Sequence, residues 1–267
     1  MLKRAISNVL RRLDVSIKRY STIQQLNETI SRYDSDFHDV NFLRALQDKD
    51  VLSALRNLDK SKSQFRQDLF VLAELNNKRN GFFVEFGATN GIDSSNTYLL
   101  ETEFGWSGIL VEPAKVWHKQ LARNRSSRID FSCVWSSSNK MIDFKETEEA
   151  LFSTASDFVS ADMHAEAREK GKNYVVPSIS LEDLLDKYSA PRLVDYLSID
   201  TEGSELEILE QFDFDKYKFS VITCEHNFSS NRERVLKLLE GNGYQRKLEQ
   251  VSRVDDWYVL RQVRRRS

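Results

Sequence analysis

Acidic residues and glycines gather where four apolar runs of the chain stop. The first place is FFVEFGATNG, in which Glu85 precedes Gly87, Ala88 and Gly91, and Ser94, Ser95 and Asn96 follow as a helix start. Glycines at a strand-to-helix turn permit positive φ and let a ligand approach the backbone closely. A helix N-terminus offers free N–H groups to a carboxylate, and Glu85 is suited to accept a bond from a ligand ammonium. The turn therefore fits a cofactor with an amino-acid end better than a pyrophosphate, since the Gly-x-Gly-x-x-Gly fingerprint of dinucleotide sites is missing. The second place is GILVEPAK. Glu112 stands about 25 residues after the first turn, where an acidic side chain takes both hydroxyls of a ribose. Pro113 stops the strand.

The third place is VDYLSIDTEGSELEIL, with Asp200, Glu202 and Gly203. Its two carboxylates suit orienting a substrate, binding a cation or taking part in proton transfer, whereas Glu205 and Glu207 are expected to face solvent on the next helix. The fourth is VITCEHNF, with Glu225 and His226. Histidine is the usual base near neutral pH, so His226 is the first candidate for a catalytic base and Asp200 the second. His38, His118 and His164 read as surface residues.

The elements that must hold these residues follow from pattern. Strand candidates are Phe82–Phe86, Gly108–Glu112, Ile129–Trp135, Val194–Ile199 and Phe219–Cys224, with Tyr244–Leu248 and Trp257–Leu260 finishing the sheet. Helix candidates lie between them at Ser95–Glu103, Lys115–Asn124, Leu181–Lys187, Ser204–Gln211 and Arg232–Glu240. That alternation implies βαβ units and a mostly parallel sheet. The central runs are almost wholly apolar, as strands covered on both faces are. The polar stretch from Lys145 to Tyr174 reads as an irregular lid over the substrate, and Trp135, Phe152 and Met163 as residues lining its pocket.

Residues 1–60 contain no glycine or proline and read as a helical extension ahead of a domain over 61–267. Ile6, Val9, Leu10, Leu13 and Ile17 recur at helical spacing among basic residues, a pattern that fits peripheral contact with an anionic membrane as well as a helix packed on its own domain. The chain of 267 residues has a net charge of −2, which gives no support to nucleic-acid binding. No apolar run is long enough to span a bilayer. Cys133 and Cys224 fall in apolar strands and read as free buried thiols, which suits the cytoplasm.

Six segments in this order resemble the FkbM family of S-adenosylmethionine-dependent methyltransferases: SQFRQD at Ser63–Asp68, FVEFGATNG at Phe83–Gly91, SNTYLLE at Ser95–Glu101, GWSGILVEP at Gly105–Pro113, VPSISLEDLL at Val176–Leu185 and DYLSIDTEGSELEIL at Asp195–Leu209. The resemblance runs to about Leu260 and leaves residues 1–60 outside it. It implies a Rossmann-like class I methyltransferase fold, α/β, with a mostly parallel seven-stranded sheet, one antiparallel strand near its end and helices on both faces. It implies that Glu85, Gly87, Ala88, Gly91, Glu112 and Pro113 bind the cofactor, although Glu85 stands where many methyltransferases have Asp. Gln64, Gln67 and Asp68 resemble an entry flap or cofactor contact.

The reaction it implies is O-methylation of a sugar, glycan or secondary metabolite. His226 or Asp200 would take the acceptor proton, with Glu202 and Glu225 nearby. A divalent metal on Asp200, Glu202 and Glu225 would lower the hydroxyl pKa, but the spacing is no metal signature and none is expected. A non-catalytic module of glycan assembly that binds S-adenosylmethionine or a nucleotide is the alternative. The oligomeric state is not legible from pattern.

Overall fold

A computed structural model describes residues 20–146, 154–155 and 172–261 of the chain. The chain divides into two compact units, Met1–Phe42 and Leu43–Ser267. Helix α1 (Tyr20–Ala45) makes up the described part of the first unit and runs on into the second, where α2 (Asp48–Asn57) follows. Residues 20–57 are thus helical apart from Leu46 and Gln47, while the basic stretch that suggested membrane contact lies outside the described residues. No described helix is long and apolar enough to cross a membrane. His38, expected at the surface, is buried, and His164 falls outside the described residues.

Short helix α3 (Gln67–Glu74) leads into the sheet. Its strands are β1 (Phe82–Phe86), β2 (Ser107–Val111), β3 (Arg128–Asp130), β8 (Leu193–Ile199), β9 (Lys218–Glu225), β10 (Tyr244–Lys247) and β11 (Asp255–Leu260). They lie in the order β10-β11-β9-β8-β1-β2-β3. All pairings are parallel except those of β11 with β9 and β10. The connecting helices are α4 (Tyr98–Phe104), α5 (His118–Asn124), α6 (Leu181–Lys187), α7 (Glu205–Glu210) and α8 (Arg232–Gly241), with α9 (Glu249–Ser252) before the last strand. The chain order reverses between β1 and β8, and ligands of open α/β sheets sit beyond the strand ends at such a switch.

The core forms because the central strands are apolar on both faces. Val84, Phe86, Ile109, Val111, Leu197, Ile199 and Ile222 join Leu184, Leu185, Leu206 and Leu209 of the helices in one cluster. At a transfer free energy of about 25 cal/mol per Å² of apolar area, such burial dominates the stability of the unit. Gly108 is confined by the same packing, since a Cβ there would lie 2.3 Å from the Phe83 carbonyl oxygen.

The expected single strand Ile129–Trp135 is two strands in two sheets. Asp130 Oδ1 accepts the Ser132 N–H at 2.8 Å, and the turn so formed breaks the run. Beyond it β4 (Cys133–Trp135) pairs with β7 (Lys172–Ser180), which pairs with β5 (Met141–Glu146), and β5 with β6 (Thr154–Ala155). Of the segment read as an irregular lid, residues 145–146, 154–155 and 172–174 belong to this second, four-stranded sheet, and the remainder lies outside the described residues. Trp135 packs with Ala114, Cys133, Phe144 and Val176, whereas Phe152 and Met163 fall outside the described residues. Cys133 and Cys224 are buried and free.

Candidate active site

The turn after β1 meets the turn after β8. Gly87 has φ +71°, and a Cβ on it would lie 2.4 Å from the Asp200 carbonyl oxygen, so only glycine allows this approach. Gly87 and Ala88 donate their N–H groups to the Val111 carbonyl, which ties the turn to β2. Gly91, at φ +81°, leaves room for Leu121 and Arg125.

Glu85 is buried and engaged within its own turn. Its carboxylate accepts from Ser95 Oγ, Asn96 N and Thr97 Oγ1, and Arg125 lies 3.6 Å away. The helix expected to open at Ser95 opens at Tyr98, and the N–H groups ahead of it are occupied by Glu85 and by Ser95 Oγ. The protein's own carboxylate thus stands where a ligand carboxylate was expected. The longer Glu reaches this helix start and fixes the turn.

Arg125 is the residue that sequence reading missed. Its side chain is fully buried. It donates to Glu101 Oε2 at 2.8 and 3.0 Å, to Thr97 Oγ1 at 2.8 Å, and to the Gly91 carbonyl and Ser95 Oγ at 3.1 Å. A signal for it exists only in three dimensions, because its partners lie 24 or more residues away.

At the end of β2, Glu112 accepts the Thr89 N–H at 2.8 Å and the Ala114 N–H at 2.7 Å, one on each oxygen. A carboxylate offers about four lone-pair sites, so each oxygen keeps one for a ligand hydroxyl. Burial pushes the Glu112 carboxyl up to about 7, with Asp200 and Glu146 adding repulsion. Next to it opens a groove lined by Pro113, His118, Asp130, Phe131, Val176 and Tyr188. Half-buried His118 stacks on Phe131 with centroids 3.9 Å apart and contacts the Glu112 carbonyl at 3.1 Å, so it too is more than a surface residue.

Asp200, Glu202 and Glu225 converge, each with a carboxylate oxygen within 4.8 Å of the others. Burial raises the Asp200 and Glu225 carboxyls above the ordinary range, and neighbouring like charges, Glu205 for both and also Asp200 and Glu202 for Glu225, add to the rise. Asp255, opposite Glu225 on β11, stands behind them, pushed up to about 7 by burial. Gln67 donates to it at 2.7 Å and so connects α3 to the cluster. Asp68 accepts from Ser61 and from the Leu69 N–H and is wholly buried, whereas Gln64 is exposed. Glu205, expected in solvent, is buried and accepts from Thr201 N, Thr201 Oγ1 and Gly203 N. It thereby pins the turn in which Glu202 takes φ +58°. Glu207 is half-buried. Strained backbone of this kind collects at functional sites.

His226 is not set up as a base. Its Nδ1 accepts the Phe228 N–H at 3.0 Å, and burial lowers its pKa, so the neutral ring carries its hydrogen on Nε2. That nitrogen lies 3.9 Å from Asp256. His226 holds the Asn227–Phe228 turn, in which both residues have positive φ and the Phe228 ring is 71% exposed.

The raised carboxyls fix how stability depends on pH. Glu112 and Asp255 move from ordinary values of 4.5 and 3.8 to about 7, and Asp68 from 3.8 to about 6. The folded chain therefore binds these protons more tightly than the unfolded one. Their contribution is complete below the ordinary values and is lost as pH rises through 6 to 7. The ligand-free protein should show a falling Tm between about pH 5 and about pH 8; a Tm that rises over that range would contradict the burial described.

Residues 85–246, more than half of the chain, match the sequence profile of the Methyltransferase FkbM domain. No curated protein matches the sequence. Among solved structures, methyltransferase FkbM from Methylobacillus flagellatus KT aligns at 12% identity and TM-score 0.46 over 96% of this chain and 70% of its own. A TehB-like SAM-dependent methyltransferase from Corynebacterium glutamicum aligns at 7% identity and TM-score 0.37 over 85% of this chain and 100% of its own. A SAM-dependent methyltransferase from Aquifex aeolicus aligns at 10% identity and TM-score 0.35, covering 76% and 96%. With a sequence match spanning the turns after β1 and β2 and the Asp200–Gly203 segment, the chain belongs to the FkbM family of S-adenosylmethionine-dependent methyltransferases.

Proposed function

We propose that this protein transfers a methyl group from S-adenosylmethionine to a hydroxyl oxygen of a sugar, glycan or similar polyhydroxylated acceptor in the cytoplasm. The observation that carries the reading is the set of carboxyl groups around the glycine turn: Glu112, Asp200, Glu202 and Glu225, with Asp255 behind them. The donor is cationic at sulfur and at its amino group. Carboxyls whose charge is suppressed by burial and by one another gain most from such a ligand. The free lone pairs of Glu112 fit a ribose diol, and Pro113 and Phe131 offer an apolar wall to a purine. When bound, S-adenosylmethionine supplies an electrophilic methyl carbon.

The chain aligns, excludes water and moves the acceptor proton. Gly87 and Gly91 shape the donor turn. The Asp200–Glu225 pair, in its ionised form, accepts the hydrogen of the acceptor hydroxyl. Phe228 presents an apolar ring close in sequence to these carboxylates, and the combination suits a ligand with both C–H faces and hydroxyls. The three converging carboxylates are compatible with a cation, but the proton-transfer role does not require one.

The test is incubation with methyl-labelled donor and a panel of methyl glycosides and polyols. Label on oxygen is expected, and label on nitrogen or carbon would overturn the assignment. Glu112→Ala should weaken donor binding about 100-fold or more, since two charge-assisted hydrogen bonds of about 1.5–3 kcal/mol each are lost.

A further inference from the structure

Helix α1 carries Leu26, Ile30, Tyr33, Phe37 and Val40 on its surface, exposed at 47, 58, 71, 66 and 45%. Successive members of the row are four, three, four and three residues apart. Single exposed apolar side chains are ordinary, but a contiguous row of five marks an interaction surface. The spacing is that of a heptad repeat, with Leu26, Tyr33 and Val40 at d positions and Ile30 and Phe37 at a positions. Such a row forms a narrow seam along the helix, matched by the seam of another helix.

Charge selects the occupant. Between Leu26 and Val40 stand Glu28, Asp34, Asp36 and Asp39 against Arg32 alone. The acidic residues of this stretch oppose its lying on an anionic bilayer. A second copy of the chain carries the same seam in the same register.

We propose that α1 pairs with α1 of a second copy as a short, parallel, two-stranded coiled coil. Ile at an a position with Leu at a d position favours two strands. In parallel register, the g-to-e contacts set Thr29 against Asp34 of the second copy and Asp36 against its Asn41, so no like charges meet. If each of the ten side chains gives up about 100 Å², the pair buries about 1,000 Å², near the lower bound for a specific interface. The dimer is therefore weak and concentration-dependent, and it is independent of the methyl-transfer reading.

The experiment is light scattering coupled to gel filtration on the full chain over a hundredfold dilution. Wild type should pass from dimer to monomer on dilution. The double variant I30D/F37D should be monomeric throughout with unchanged circular dichroism. Ser35→Asp, on the outer face of the helix, should dimerise like wild type and controls for added charge. Under oxidation, Phe37→Cys should give a disulfide-linked dimer, while Ser35→Cys should not. A wild-type chain that is monomeric at every concentration overturns the proposal. So does a dimer that survives I30D/F37D, or crosslinking through Ser35→Cys instead of Phe37→Cys.

Discussion

Asp200→Asn should lower kcat for methyl transfer by about 100- to 1,000-fold, the usual worth of a positioned acid–base group, a far larger effect than its weakening of S-adenosylhomocysteine binding. The reason is local. Asp200 ends β8 beside the glycine turn, and its carbonyl, which sets that approach, survives the substitution. What is lost is a carboxyl beside Glu225 that burial has raised to about 6. An amide cannot accept a proton near neutral pH, so the acceptor hydroxyl would have to lose its hydrogen to water. Glu225→Gln should behave similarly, and the double variant should be little worse than either, because the two act as a unit. His226→Asn provides the contrast. Its ring holds the Phe228 N–H, so its loss should raise KM for the acceptor more than it lowers kcat. Steady-state kinetics decides the matter; a larger kcat loss in His226→Asn than in Asp200→Asn would return the base to the histidine.

Arg125→Ala should cost about 3–5 kcal/mol of stability, the range seen when one partner of a buried ion pair is removed. The fully buried guanidinium donates two hydrogen bonds to one oxygen of Glu101, and it lies close to Glu85. Removing it leaves both carboxylates buried without their cation and frees the Gly91 carbonyl. Arg125→Lys should recover only a small part, since an ammonium cannot form the planar two-pronged contact and reach Thr97 as well. Urea denaturation measures the loss, and a change within about 1 kcal/mol would show that the network contributes little.

The sequence made the parallel sheet legible because its central strands are unbroken apolar runs, and apolar runs ending in Glu112, Asp200 and Glu225 announce a cleft. Phe82–Phe86 and Leu181–Lys187 form over the residues read from pattern. The second sheet escaped because β5 and β7 are partly exposed and of mixed composition, and their antiparallel pairing leaves no local mark. At the site, residue types were legible but directions were not. Glu85 reads as a ligand contact until Ser95, Asn96 and Thr97 are seen to occupy it. His226 reads as a base until its Nδ1 is seen to accept a backbone N–H. Asp255 joins the cluster only through the pairing of β11 with β9, a contact between distant segments.

One measurement bears most directly on the central claim that this cleft binds S-adenosylmethionine. Purified wild-type protein is titrated calorimetrically with S-adenosylmethionine and S-adenosylhomocysteine, with NAD as the control. Saturable one-to-one binding of the first two in the micromolar range, with no heat from NAD, is the predicted result. A folded protein that binds neither would contradict the cofactor site, whatever the family of its fold.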